Sequence, residues 1–239
     1  MLKLYDHPLS GNSYKSRLAL NQLDIEYERI NVDIFKGEQN SAQFAALNPN
    51  KKIPVLVDED FVMWESNALL FYIGKKYSPN SIYPEDPKTH GLVAQWLFFG
   101  KTTIDPNLAM ARYLTRFVSP EMRNQQEIAK YRAHGNLALK ILDDHLLEKE
   151  FLAGDYSIAD IGCYPYVHLA PEGGIDLSAY PEVESWCRRI ESQPGYISME
   201  EYFGGESIKI ERETGFEPAT FSLARRRSSQ LSYSRLKAL

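Results

Sequence analysis

The feature that most constrains this 239-residue chain is a break in its pattern at residues 78–88. Pro79, Pro84 and Pro87 fall there without periodicity, which reads as a linker between two domains, with its core at residues 79–88. Before the break, segments of strand and helix character alternate. Leu2–Tyr5 alternates as a strand does, Tyr14–Leu23 carries Leu18, Ala19, Leu20 and Leu23 at helical spacing, and Tyr27–Val32 reads as the next strand. Strand, helix and strand within about thirty residues make one βαβ unit, whose strands must run parallel. A short helix is expected near Ala42–Leu47, then a hairpin of Val55–Val57 and Phe61–Met63 across the acidic turn at Asp58-Glu59-Asp60, then a helix over Glu65–Tyr77. The first domain therefore reads β-α-β-α-β-β-α, an α/β fold.

Beyond the break, strand signals vanish. His90–Phe117, Glu121–Lys149 and Pro181–Gln193 are each long enough for helices, and Ala138, Ile141, Leu142 and Leu146 form an apolar stripe, so residues 89–203 should be an all-α domain. Ser157-Ile158-Ala159-Asp160 reads as a capping box with Asp in place of the usual Glu, which assigns Asp160 to folding and not to catalysis. From residue 204 periodicity is lost, and Arg225-Arg226-Arg227 sits in a segment expected to be a disordered, solvated tail. That segment also resembles peptides produced when reading continues into a neighbouring tRNA gene.

Composition removes several functional classes. A chain 44% hydrophobic and 25% charged is not disordered as a whole. It has no apolar run of about 18 residues and no apolar core in its first residues like that of a signal peptide, so no membrane role and a cytoplasmic location are expected. Cys163 and Cys187 lie far apart and in no ligand cluster, so they read as buried thiols, with no disulfide framework and no metal site. Residues 206–239 carry seven Lys/Arg against four Asp/Glu, which makes the rest of the chain more acidic than its overall net charge of −5. An acidic body argues against nucleic-acid binding.

The element order, the Ile53-Pro54 step before a strand, the Glu65-Ser66 pair opening a helix and the Ser157–Asp160 box together resemble the glutathione S-transferase superfamily over about residues 1–200. His7-Pro8-Leu9-Ser10-Gly11-Asn12-Ser13 looks like the active-site loop of its serine-type bacterial, theta and nu-like branches. The resemblance implies a thioredoxin-like N-terminal domain, residues 1–78, that binds glutathione as co-substrate without a metal, and an all-helical C-terminal domain. It also implies a cytoplasmic homodimer with a detoxifying activity on electrophilic small molecules.

The chemistry such a site needs can be stated. A thiol with pKa about 8.5 is only a few per cent thiolate near neutrality, and the thiolate is the nucleophile. A hydroxyl donating a hydrogen bond to sulfur at a helix N-terminus favours the charged form. Ser10 stands just before the first helix and is the catalytic candidate, with Asn12 a second donor at the same mouth. From the residues alone, Ser10, Asn12 or Ser13 reads first as a helix cap; the resemblance reverses that reading for Ser10 and leaves both open for Asn12.

By resemblance, the γ-glutamyl carboxylate lies against Ser66 at a helix start, and Glu65 faces the amino group. Pro54 is cis, and the backbone of Ile53 pairs with the cysteinyl unit as an added strand would. The glycine carboxylate meets Lys51 or Lys52, with Gln39 an extra contact. The electrophile pocket lies between the domains, with Trp96, Phe99, Asn107, Met110 and Tyr113 as candidates, although aromatic residues at helical spacing also read as core. Conjugation of glutathione is the leading activity. Reduction of disulfides or peroxides by two glutathiones is the alternative, and a non-catalytic interaction module is a third reading.

Overall fold

In a computed structural model of the chain, residues 1–199 are described; the expected tail lies outside them, except that the expected helical domain is also cut at residue 199. The first part comprises β1 (Leu2–Asp6), α1 (Gly11–Gln22), β2 (Glu28–Asn31), α2 (Ala42–Leu47), β3 (Val55–Asp58), β4 (Phe61–Trp64) and α3 (Ser66–Lys76). The second comprises α4 (Pro87–Phe99), α5 (Asp105–Arg116), α6 (Gln125–Leu146), α7 (Ile158–His168) and α8 (Pro181–Glu191). The sheet order is β2-β1-β3-β4, with β1 parallel to β2 and antiparallel to β3, as the βαβ unit and the hairpin require. This is a thioredoxin-like domain followed by a helical domain.

Helix α1 starts three residues earlier than the apolar spacing predicts. Gly11, Asn12 and Ser13 read as turn residues, yet the Ser10 side chain accepts the Ser13 N–H at 3.2 Å and so caps the helix at Gly11. The helix is covered on almost every side: Tyr14, Leu18, Ala19 and Leu20 are fully buried, and so are the polar Ser13, Lys15, Ser16 and Arg17. It packs against α3 and α7, so these polar side chains are held away from water, while Asn12 and the C-terminal Asn21 are not.

The segment expected as one helix over His90–Phe117 is two. A π-helical turn at Gly100–Ile104 separates α4 from α5, and Pro106 follows in the first turn of α5. A proline ring clashes with the carbonyl four residues back in a regular helix, and a widened turn relieves that conflict. The expected linker is also shorter than its composition suggests, because Pro87 already belongs to α4. Ile82 and Tyr83 within it are buried, and the carbonyl of Ile82 accepts the N–H of Ile158 at 2.9 Å. It is a docked connection, so one apolar core runs through both domains, from Leu4, Leu18 and Leu70 to Leu97, Ile161 and Trp186.

The Ser157–Asp160 capping box forms as expected. Asp160 is fully buried and accepts hydrogen bonds from the N–H groups of Leu152 and Ser157 and from Trp186 Nε1, at 2.8 to 3.0 Å. Burial pushes its carboxyl up to about 6 against the pull of those donors. Cys163 and Cys187 are buried and unpaired, and burial raises both thiols well above their ordinary range.

Candidate active site

A cavity of about 360 Å³ opens between the two domains, within the size range of small-molecule sites. Its thioredoxin-like side is formed by the loop after β1, the loop after β2 and the loop before β3. Its helical side is mainly one face of α5 and Phe117 just after it, with Lys101 before α5, Tyr131 of α6 and Tyr166 of α7.

Ser10 stands at the mouth with its hydroxyl oxygen accepting from Ser13, and its own O–H donates to nothing among the described residues. A hydroxyl has one hydrogen and two acceptor positions, so capping the helix leaves the donor free. The two readings of Ser10, cap and donor, are therefore compatible in this geometry. Asn12, in the first turn of α1, links both domains: Ser66 Oγ donates to its Oδ1 at 3.1 Å, and its Nδ2 donates to Tyr166 Oη at 3.3 Å.

The lysine loop is shaped by Asn48, which is buried. Its Nδ2 donates to Lys52 O at 2.6 Å, its Oδ1 accepts from Asn50 N at 2.9 Å, and its carbonyl accepts from Lys51 N at 2.9 Å. Lys51 takes a left-handed φ of 54°, and both Lys51 and Lys52 line the cavity, as do Ile53 and the buried Gln39. Partial burial and then the neighbouring Lys101 lower the Lys52 ammonium from its ordinary value, and Glu65 opposes them. The Ile53-Pro54 bond is cis, as the resemblance implies.

Glu65 precedes α3 with φ 77°, a conformation that costs a non-glycine residue about 1–3 kcal/mol and persists where surrounding structure enforces it. Its carboxylate lies 3.5 Å from Lys101 Nζ of the π-helical turn. Ser66 is the first residue of α3 and is buried. Pro54, Glu65 and Ser66 stand beside the cavity and do not line it.

Of the five electrophile-pocket candidates, Met110 and Tyr113 line the cavity and Trp96, Phe99 and Asn107 do not. Trp96 is a core residue, with its ring centroid 4.6 Å from that of His145 and 5.4 Å from that of Phe99. The π-helical turn changes the phase between α4 and α5, so a face read continuously across it misplaces the α4 residues. Asn107 donates to Thr103 O at 2.7 Å within its own helix. Pro106, Ala109, Met110, Tyr113 and Phe117 recur at steps of three and four and form the actual wall.

Several site residues were not singled out from the sequence. Phe35 bridges the Ser10 loop to the helical wall, with ring centroids 5.3 Å from His7 and 5.7 Å from Phe117. The Tyr166 ring lies against Gly11: a Cβ there would stand 3.0 Å from two of its carbons, so glycine is what admits the phenol to the first turn of α1. Burial raises the Tyr166 phenol, which stays protonated. Beneath them the wholly buried Lys15 meets Asp105 at 2.7 Å, an ion pair across the domain seam. No sequence signal marks these, apart from the periodicity that Phe117 shares with Met110 and Tyr113. Among the described residues, no group of three or more His, Cys, Asp and Glu side chains is placed to hold a metal ion.

The family models for the N-terminal and C-terminal domains of glutathione S-transferase match residues 1–75 and 107–194. The chain is 31% identical over 202 residues to the disulfide-bond oxidoreductase YfcG of Escherichia coli, spanning 81% of this chain and 92% of that protein. It is equally 31% identical to glutathione S-transferase 2 of Schizosaccharomyces pombe, over 212 residues, 80% of this chain and 91% of the relative. The chain belongs to the glutathione S-transferase family. The crystal structure of a glutathione S-transferase from Pseudomonas fluorescens superposes with a TM-score of 0.78 at 38% identity, covering 83% of this chain and 98% of that one.

Proposed function

We infer that the protein is a glutathione transferase in which the Ser10 hydroxyl donates a hydrogen bond to the sulfur of bound glutathione and holds it as the thiolate. The thiolate attacks an electrophilic carbon of a second substrate, forming the C–S bond as the leaving group departs or the electron pair moves onto the acceptor. The observation that carries this is the uncommitted Ser10 O–H at the N-terminus of α1, facing the interdomain cavity. Lowering the thiol pKa by about two units needs roughly 2.7 kcal/mol, more than one ordinary hydrogen bond supplies; the helix N-terminus contributes the rest.

In this reading the Ser66 amide receives the γ-glutamyl carboxylate and Glu65 its ammonium group, exchanging its contact with Lys101. Ile53, ahead of Pro54, pairs with the cysteinyl backbone, and Lys51 or Lys52 with Gln39 holds the glycine end. Asn12 orients Ser66, and its remaining amide hydrogen is available to the sulfur. Met110 and Tyr113, with Phe35 and Phe117, receive an electrophile of largely apolar character. Residues 1–78 form the glutathione domain and 89–203 the helical one, in a cytoplasmic homodimer; no described helix is long and apolar enough to cross a membrane.

A second reading, reduction of disulfides, is favoured by the name of the Escherichia coli relative. With Cys163 and Cys187 buried, the electrons would come from two glutathiones: the first thiolate attacks the disulfide sulfur and expels a thiol, and the second releases glutathione disulfide. The test for both is Ser10→Ala. Conjugation kcat/KM should fall about 10²-fold, the magnitude seen when a transition-state donor is removed, while glutathione Kd by calorimetry stays within about threefold. Activity that survives that change with several electrophiles and with a mixed disulfide rules the reading out.

A further inference from the structure

We propose that Arg112, on the helical domain, is a positioning residue that sets the direction of the Ser10 hydroxyl. The inference rests on the Ser10 reading above. The three carbonyls that precede Ser10 are each held by an arginine. Arg17 donates Nη1–H to His7 O at 3.4 Å and Nη2–H to Pro8 O at 3.2 Å, and Arg112 donates Nη1–H to Leu9 O at 3.0 Å. Arg17 is anchored in the same domain by Asp6, at 2.8 Å to both carboxylate oxygens. Of the two arginines, Arg112 is the one that reaches the loop from the other domain.

The geometry makes that one bond consequential. Leu9 C=O and Ser10 N–H belong to a single planar peptide unit. Its N–H end donates to His7 O at 3.0 Å and its C=O end accepts from Arg112, so the plane is fixed at both ends. The Ser10 C=O is held in turn by Tyr14 N–H at 2.9 Å, so what remains is the side-chain torsion that places Oγ, set by the bond from Ser13 N–H, and the rotation of the O–H about it. Arg112 is itself immobilised: it is 5% exposed, its Nε–H donates to Glu172 at 2.5 Å, and its guanidinium lies 5.1 Å from the Phe117 ring centroid. Glu172 also pairs with Arg116. A planar fork held at one edge by a carboxylate presents its other edge in a fixed direction, which a lysine cannot imitate. The chain from Glu172 through Arg112 to Leu9 therefore transmits the register of the helical domain to the hydroxyl that holds the sulfur.

The experiment is titration of the glutathione thiol in the binary complex by thiolate absorbance, with Kd by calorimetry, for Arg112→Met, Arg112→Lys, Glu172→Gln, Ser10→Ala and the Ser10→Ala/Arg112→Met pair. Arg112→Met should raise the midpoint by about one unit, a tenfold loss of thiolate on the acid side, with Kd within about threefold and with conjugation recovering at high pH. Arg112→Lys keeps the charge without the fork and should retain at least half of that shift, and Glu172→Gln should shift the same way by less. The pair should titrate like Ser10→Ala alone. A midpoint that moves with Ser10→Ala but not with Arg112→Met, full restoration by lysine, or a further shift in the pair overturns this inference alone. A midpoint that Ser10→Ala leaves in place overturns the Ser10 reading and this inference with it. Should Arg112→Met not fold, Arg112→Lys and Glu172→Gln decide by the same criteria.

Discussion

The two walls of the cavity are built by different means. On the thioredoxin-like side most candidate groups are placed mainly by sequence neighbours: Lys51 and Lys52 by Asn48, Ser66 by opening α3, and the Ser10 side chain by its bond from Ser13, with Arg112 holding the peptide before it. On the helical side each is placed by something far away in the chain: Asp105 by Lys15, Arg112 by Glu172 and Leu9, and Tyr166 by Gly11 and Asn12. Groups held by local bonds tolerate change elsewhere, and groups held across the seam respond to the fit of the domains.

The largest blow to that division should come from the seam itself. Lys15→Met leaves the Asp105 carboxylate buried and unpaired, and breaking a buried pair in this way costs about 3–5 kcal/mol. Replacing both partners, Lys15→Met with Asp105→Leu, should recover most of the loss, because an apolar pair of similar volume avoids the desolvation of two charges. Chemical denaturation reads both. Equal destabilisation of the single and the double variant would show that the seam does not depend on the ion pair.

Gly11→Ala comes next and sharpens the comparison, because it changes only the contact between the walls. The added methyl group meets the Tyr166 ring at 3.0 Å, and overpacking of that kind costs about 1–3 kcal/mol. KM for the electrophile should rise several-fold with KM for glutathione little changed. A rise in the glutathione KM alone would mean that the phenol serves the other wall.

The same contrast governs what could be read from the sequence. Element order, the parallel β1–β2 pair, the hairpin and the capping box follow from spacing and turn chemistry within a few residues, and all form. Ser10 stands out by its place just before the first helix, and Lys51, Lys52, Ile53 and Gln39 only through the family resemblance; all five line the cavity. Trp96 and Phe99 do not line the cavity, because a π-helical turn that no periodicity announces separates their helix from α5. Phe35, Arg112 and Tyr166 carry no local signal, since their role comes from partners up to 154 residues away.

The smallest expected effect belongs to His7, where local placement itself can be switched. His7 is buried, accepts the Leu9 N–H at Nδ1 over 3.2 Å, and burial lowers its imidazole to about 4. Asp33 and Asp6 pull the other way, and Arg29 and Arg17 add to the lowering. Its ordinary value is about 6.5, so as the pH falls below that the unfolded chain takes up a proton that the native state refuses until about 4. The native state therefore loses stability through that window and, with respect to this group, is at full strength above it. Protonation also converts Nδ1 from acceptor to donor, which removes the bond that shapes the turn before Ser10. His7→Asn keeps a short-range acceptor for the Leu9 N–H, as in an Asx turn, without the titration. Between pH 7 and 4.5 the variant should lose less stability than the wild type, by on the order of 1 kcal/mol, read as the difference in thermal midpoints at matched ionic strength. Parallel pH profiles for the two proteins would mean that the acid sensitivity of this wall does not come from the imidazole.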